Sequence, residues 1–344
     1  MPRGDAHRKR GERFEVKLYR GLYAALAGLL AVSFALTVYF MIRGVQSDAG
    51  LAKSSEYVRP HYHFVLIPEE MDNPYWRSVQ KGADAAAKKY GAVVEYRGPV
   101  QSNLSEHIKV MRESVAAKVD GILTQGLDER EVAVINDAIQ HGIPVVTVDT
   151  DLPGSRRLAY VGTDNYAAGL KAGRYLAKAT GGLAKVGIVT GSFESTGQRL
   201  RVKGFRDAVA EIPGIEVVAV ESSQISRVQA AEKAYKIFRE HPEVNAFFGT
   251  SALDGIGISA AAQSLGQSKT VFLLAFDAVE DTLTLMKDGK IDATIVQKPY
   301  EMGYESVRLM VEIVNGKPVT ERHVTPVNIV LPADLPLSRK AERR

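Results

Sequence analysis

From residue 63 onward, short apolar runs alternate with longer stretches of mixed character. The runs are HFVLIP at 63–68, AVVEYR at 92–97, DGILTQG at 120–126, PVVTVD at 144–149 and AYVGT at 159–163, then AKVGIVTG at 184–191, IEVVAV at 215–220, VNAFFGT at 244–250, TVFLLAFD at 270–277 and DATIVQ at 292–297. Runs this short read as strands buried in a parallel sheet. Between most of them lie stretches of helical period: Trp76–Tyr90, Glu106–Ala117, Tyr166–Thr180, Gly197–Ala210 and Val228–Glu240. Strand and helix in alternation predict parallel sheets covered by helices on both faces. About ten strands are more than one compact sheet of this kind usually holds, so the pattern predicts an α/β protein of two tandem doubly wound parallel-sheet lobes. Ligands of such sheets sit at the carboxyl ends of the strands, which is where functional residues are to be sought.

One apolar run is of a different kind. Gly21 to Ile42 holds no charged residue over 22 positions, enough to span a hydrocarbon core of about 30 Å as a helix. Its length, and Tyr39, Phe40, Met41 and Ile42 leading into Arg43, fit an uncleaved anchor better than a cleaved signal peptide. The basic flank through residue 20 predicts a cytoplasmic N-terminus and an extracytoplasmic remainder. Residues 1–20 are then a basic cytoplasmic tail, 21–42 a transmembrane anchor and 43–60 a polar linker. That tail carries seven Lys or Arg against three Asp or Glu, which accounts for the whole formal charge of +4. The rest of the chain is neutral, so nothing argues for nucleic acid. With no cysteine, there is no disulfide, thiolate metal site or cysteine nucleophile.

At the strand ends stand Glu69, Asn73, Tyr75 and Trp76 after the first run, Asp149 and Thr150 after the fourth, and Arg199, Ser251, Asp277 and Gln297 in the second series. The set holds carboxylates, amides, hydroxyls, one arginine and two aromatics but no paired nucleophile and base, so a binding protein is expected, not an enzyme. A sugar requires this mixture: its hydroxyls both donate and accept, and its apolar ring face packs on an aromatic. Other roles are open to the same residues. Asp149 and Asp277 could cap helices, Arg199 and Arg201 could pair with Glu194 or Asp207 at the surface, Trp76 could be core, and Gln297 could be a hinge residue.

Three weaker signals point elsewhere. GIGISA at 255–260 matches a dinucleotide fingerprint and would imply an NAD-dependent dehydrogenase, but its glycines fall within a helix instead of the strand-to-helix turn. His61 and His63 lack a third metal ligand nearby, and no calcium loop of alternating carboxylates occurs in the second lobe, so neither metal nor cofactor is expected. Asn103 to Ser105 forms a glycosylation sequon.

Taken together, DNPYWRSVQKGADAAAKKYG, IPVVTVDTD, AYVGTDNYAAG, GQRLRVKGF and FDAVEDTLTLMKDGKIDATIVQKP, in this order and spacing, carry a resemblance over residues 62 to 332. The chain resembles the type I periplasmic binding proteins of the ribose and galactose kind, whose fold the sensory domains of lactose-repressor-like transcription factors share. The apolar span where a repressor would carry its DNA-reading helices sets it apart from the latter. The resemblance implies a first lobe of 61–163 plus 298–325, a second of 164–297 plus 326–334, and a tail at 335–344. It implies that Asn73, the stacking aromatics Tyr75 and Trp76, Asp149, Arg199, Asp277 and Gln297 bind a sugar, and that the lobes close on it. Thr150 replaces the arginine of ribose binders, Ser251 an asparagine and Glu69 a small polar residue, so ribose itself is not implied. The expected partner of the closed form is a membrane permease of the ABC class or, alternatively, a two-component histidine kinase or chemoreceptor sensing a sugar or furanose-type signal.

Overall fold

The computed structural model describes residues 26–43 and 61–335. Contacts divide the chain into two units, Met1–Arg59 and Pro60–Arg344. In the first unit the described residues form one helix, α1 (Leu26–Arg43), uncharged up to Arg43 and long and apolar enough to cross a membrane. The first residues of the expected span (21–25), the basic tail, linker residues 44–60 and tail residues 336–344 lie outside the described residues.

The second unit contains two six-stranded sheets. Its strands are β1 (Tyr62–Ile67), β2 (Ala92–Tyr96), β3 (Gly121–Thr124), β4 (Val145–Asp149), β5 (Ala159–Thr163), β6 (Ala184–Thr190), β7 (Ile215–Ser222), β8 (Ala246–Gly249), β9 (Phe272–Phe276), β10 (Ala293–Val296), β11 (Arg322–Thr325) and β12 (Asn328–Val330). The helices are α2 (Pro74–Tyr90), α3 (Leu104–Ala116), α4 (Val132–Gln140), α5 (Asn165–Ala179), α6 (Thr196–Val209), α7 (Arg227–Glu240), α8 (Asp254–Ser264), α9 (Glu280–Lys287) and α10 (Pro299–Val314). The sheet orders are β11-β5-β4-β3-β1-β2 and β12-β10-β9-β8-β6-β7, the same path traced twice. All pairs are parallel except β10 with β12. The chain passes from the first sheet to the second after β5, returns after β10, and crosses again between β11 and β12.

The ten apolar runs correspond to β1 through β10. The edge strands β11 and β12 are additional; both are short, and exposed residues interrupt each of them (Arg322 and Val324 in β11, Asn328 in β12), so they lack the continuous apolar signature of a buried strand. Each sheet is sandwiched between helices, with two buried apolar clusters per lobe. One of these clusters contains Tyr75 and Trp76 of the first lobe together with Ala252 and Val279 of the second, so apolar burial is continuous between the lobes.

Candidate functional site

The cleft lies where the carboxyl ends of the two sheets face each other. Asp149 and Asp277 occupy equivalent places, at the end of β4 and directly after β9, and both have a left-handed backbone with φ of 66°. That conformation is uncommon outside glycine and marks a constrained position for a short polar side chain. Neither caps a helix: the N-cap of α9 is Val279, and α5 is capped by Asp164.

Around Asp149 the first lobe assembles a dense polar network. The Tyr75 hydroxyl donates to its Oδ1, Gln125 Nε2 donates to Oδ2 at 2.8 Å, and Thr150 Oγ1 donates to Oδ2 at 3.1 Å. Around Asp277 the arrangement is sparser: Gln297 Nε2 donates to Oδ1 at 2.9 Å, and the Thr294 hydroxyl donates to the Asp277 carbonyl at 2.7 Å. Gln297 Oε1 then accepts from Thr163 Oγ1 at 2.6 Å and from Arg201 Nη2 at 3.2 Å, joining both lobes at the crossover.

Arg201 is the buried cation of the cleft. Its Nε donates to Asn165 Oδ1 at 2.7 Å and its Nη1 to the Thr250 carbonyl at 2.8 Å, and its guanidinium lies 4.0 Å from the centre of the Phe276 ring. Nη2 also lies 4.0 Å from Asp149 Oδ1 in the opposite lobe. Close packing of α5 on α6 sets this position: a Cβ at Gly169 would collide with the backbone carbonyl of Arg201, and one at Gly204 with that of Tyr166. Arg199, the arginine expected in the site, instead faces solvent and donates to the carbonyls of Phe193 and Glu194 and to Thr196 Oγ1. The helical period explains the exchange. Gly197, Gln198, Arg201, Gly204 and Phe205 share the buried face of α6, and position 199 falls outside it. That small and apolar face was the signal in the sequence that selects Arg201.

The remaining expected residues are all buried, in differing roles. Asn73 is the N-cap of α2, its Oδ1 accepting from Tyr75 N at 2.9 Å while its Nδ2 donates to Glu70 Oε1 at 2.5 Å. Glu69 accepts from Ser102 Oγ at 3.0 Å. Trp76 packs edge-on against Tyr75, ring centres 5.8 Å apart, inside the apolar cluster that spans both lobes. Ser251 Oγ and Gln125 Oε1 are buried without a hydrogen-bond partner among the described residues. Gln125 was not anticipated, although it directly follows β3, a place where the strand-end rule looks.

Acidic groups outnumber cations here, and burial shifts their protonation. Burial, with the charge of Glu70 second, pushes Glu69 up to about 8. Burial raises Glu70 to about 7 against the Asn73 hydrogen bond, and Asp277 to about 7 against the charge of Arg201. Asp254, held by Ser223 Oγ at 2.5 Å and Ser251 N at 2.8 Å, rises to about 6, again through burial.

The lobes are closed on one another. Thr196 N and Oγ1 donate to the Leu127 carbonyl at 2.8 and 3.1 Å, and Arg130 Nη2 pairs with Glu194 Oε2 at 3.0 Å. A Cβ on Gly197 would stand 2.5 Å from Thr150 Oγ1 across the cleft, so this approach requires glycine. The GIGISA glycines serve helix packing: a Cβ at Gly255 would meet Ala275 Cβ at 2.6 Å and one at Gly257 Ala230 Cβ at 2.5 Å, both inside α8. His63 binds Glu95 Oε2 at 3.1 Å on the surface, and Asn103 caps α3.

Two mirrored lobes, strand-end polar groups converging between them and a sealed interface define a protein that encloses a small ligand. The periplasmic binding protein domain model matches residues 64–318, and the chain belongs to that family, in its type I form. It is 27% identical over 267 residues to the ribose import binding protein RbsB of Escherichia coli (strain K12), covering 77% of this chain and 89% of that protein. Among solved structures, GanP, a glucose-galactose binding protein from Geobacillus stearothermophilus, is 54% identical with a TM-score of 0.78, covering 80% of this chain and 99% of GanP. A chain of the XylFII-LytSN complex is 37% identical with a TM-score of 0.77, covering 80% of this chain and 99% of that one.

Proposed function

We propose that this chain is a membrane-tethered extracytoplasmic receptor for a neutral aldose, which closes on the sugar and presents the closed shape to a membrane partner. The observation that carries the reading is the pair of buried, unpartnered polar atoms at strand ends of the two lobes, Gln125 Oε1, whose amide also holds Asp149, and Ser251 Oγ, just after β8. A ligand rich in hydroxyl donors satisfies such groups, while one without donors leaves them desolvated at a cost of about 1–3 kcal/mol each. Arg201 already donates to Asn165 Oδ1, the Thr250 carbonyl and Gln297 Oε1, which disfavours its pairing with a phosphorylated or acidic sugar. The likeness to GanP supports an aldohexose. Helix α1 supports the tether.

Two partners fit a closed, tethered receptor. The likeness to the ribose import protein supports an ABC permease. The tether and the likeness to XylFII, solved in complex with LytSN, favour a sensor kinase. Thermal melting of the full chain in detergent, with D-glucose, D-galactose, D-xylose, D-ribose, glucose 6-phosphate and galacturonate, tests the ligand class. A ligand that binds only the folded state raises Tm by mass action. A rise with at least one neutral aldose and none with the two anions is expected; a rise with the anions alone overturns the reading. Deleting the chain's gene separates the partners, since a permease role abolishes sugar uptake and a sensing role abolishes the transcriptional response while uptake persists.

A further inference from the structure

Behind the first wall of the cleft lies a fully buried pair that the sugar reading leaves unused. Glu131 and His107 both have side chains with 0% exposure, and Glu131 Oε1 lies 2.6 Å from His107 Nδ1. The second oxygen, Oε2, accepts from the backbone N–H of Leu127 at 2.7 Å. His107 Nε2 lies 3.4 Å from the Ile67 carbonyl and 3.5 Å from Thr124 Oγ1. Each of these contacts is the root of a cleft segment. Ile67 ends β1, two residues before Glu69; Thr124 ends β3, next to Gln125; and Leu127 offers its carbonyl to Thr196 of the other lobe. A buried carboxylate is costly unless its oxygens are fully bonded, and here both are.

We propose that Glu131 is a positioning residue for lobe closure. Its Oε2 holds the Leu127 N–H from inside the first lobe, and this orients the Leu127 carbonyl outward to receive both donors of Thr196. His107 fixes the opposite carboxylate oxygen and ties the same anchor to the ends of β1 and β3. The role concerns the closed geometry, and rests on the proposed receptor function only in that closure is what the receptor signals.

Residue-resolved hydrogen exchange on the full chain in nanodiscs tests it, with and without D-galactose. In the wild type the Thr196 amide is protected. In Glu131→Ala it exchanges at least about tenfold faster, although it lies in the other lobe, while amides of β6 keep their protection. Glu131→Gln, whose amide oxygen still accepts from Leu127, restores most of it. The double variant His107→Leu/Glu131→Met replaces both polar groups by apolar ones of similar volume, which safeguards folding, and carries the same expectation for Thr196. Unchanged Thr196 protection in Glu131→Ala or in the double variant, or a Thr196 amide unprotected in the wild type under both conditions, overturns the proposal. Failure of every sugar to raise the melting temperature would remove the receptor reading separately, whereas the Thr196 comparison is made in whichever condition protects that amide in the wild type.

Discussion

The two lobes trace the same strand order and place an aspartate with the same left-handed backbone at the same point, yet they equip it differently. In the first lobe Asp149 is gripped by Tyr75, Gln125 and Thr150, with the aromatic pair beside it. In the second, Asp277 has one side-chain amide partner, Gln297, and the lobe contributes the buried Arg201 and a run of hydroxyls at Thr190, Thr250 and Ser251. The duplicated topology supplies the position, and the local side chains divide the labour: an acidic, aromatic wall faces a cationic, hydroxyl-bearing one. Arg201 and Gln297 join the halves, so the second lobe's charge stabilises carboxylates of both.

The sharpest way to break this contrast is to remove the cation. Arg201→Met leaves buried carboxylates uncompensated, and losing one partner of a buried charge pair costs about 3–5 kcal/mol. Calorimetry should find sugar affinity at least about a hundredfold weaker in Arg201→Met, whereas Arg199→Met stays within about twofold of wild type because exposed arginines contribute little. Equal losses at both positions would contradict the assignment.

These two arginines also mark how far the sequence was legible. The strand ends were visible because buried parallel strands are continuously apolar, and Glu69, Tyr75, Trp76, Asp149, Ser251, Asp277 and Gln297 all lie buried at those ends. Selecting between Arg199 and Arg201 needed the phase of α6, which its glycines and Phe205 encode but which family spacing alone did not resolve. Gln125 was passed over because a single amide after a strand has no distinctive pattern. Asn73, read as a ligand contact, spends its oxygen capping α2, a role its place before Pro74 already announced. The wall and core readings of Trp76 merge, because the cluster that buries it includes residues of the second lobe.

The aspartates provide the next test of the asymmetry. Asp149→Ala leaves the Tyr75 hydroxyl only Met302 Sδ at 3.3 Å and Gln125 Nε2 only Thr150 Oγ1 at 3.2 Å, and removes a partner of a sugar hydroxyl, while Asp277→Ala disturbs fewer groups. With about 1–3 kcal/mol for each unpaired buried group, Asp277→Ala should weaken binding about tenfold and Asp149→Ala more. An unchanged affinity in Asp277→Ala would remove that residue from the site. Gly197→Ala probes the meeting of the two walls: its methyl collides with Thr150 only when the lobes are shut. Overpacking of about 1–3 kcal/mol predicts roughly tenfold faster sugar release by stopped flow, with little change in the melting of either lobe.

The smallest expected effect concerns pH. Glu69, Glu70, Asp254 and Asp277 bind protons more tightly in the folded chain than the ordinary carboxylate value near 4. Their contribution to stability is therefore fully present below about pH 4 and is lost as pH rises through about 6 to 8. The sugar-free chain should melt a few degrees lower at about pH 8 than at about pH 5, and Glu69→Gln should flatten the slope. A Tm rising over that interval would contradict the burial of these groups.

The most direct measurement uses the single tryptophan of the chain as a reporter of the cleft. Trp76 shares its cluster with residues from both lobes, so its emission depends on their closure. Titrating the full chain in detergent with D-glucose and D-galactose should give a saturable, single-site change in Trp76 fluorescence that Arg201→Met abolishes at the same concentrations. A spectrum that stays constant with both sugars, while melting temperature rises with either, would contradict the closure of these two walls around the ligand.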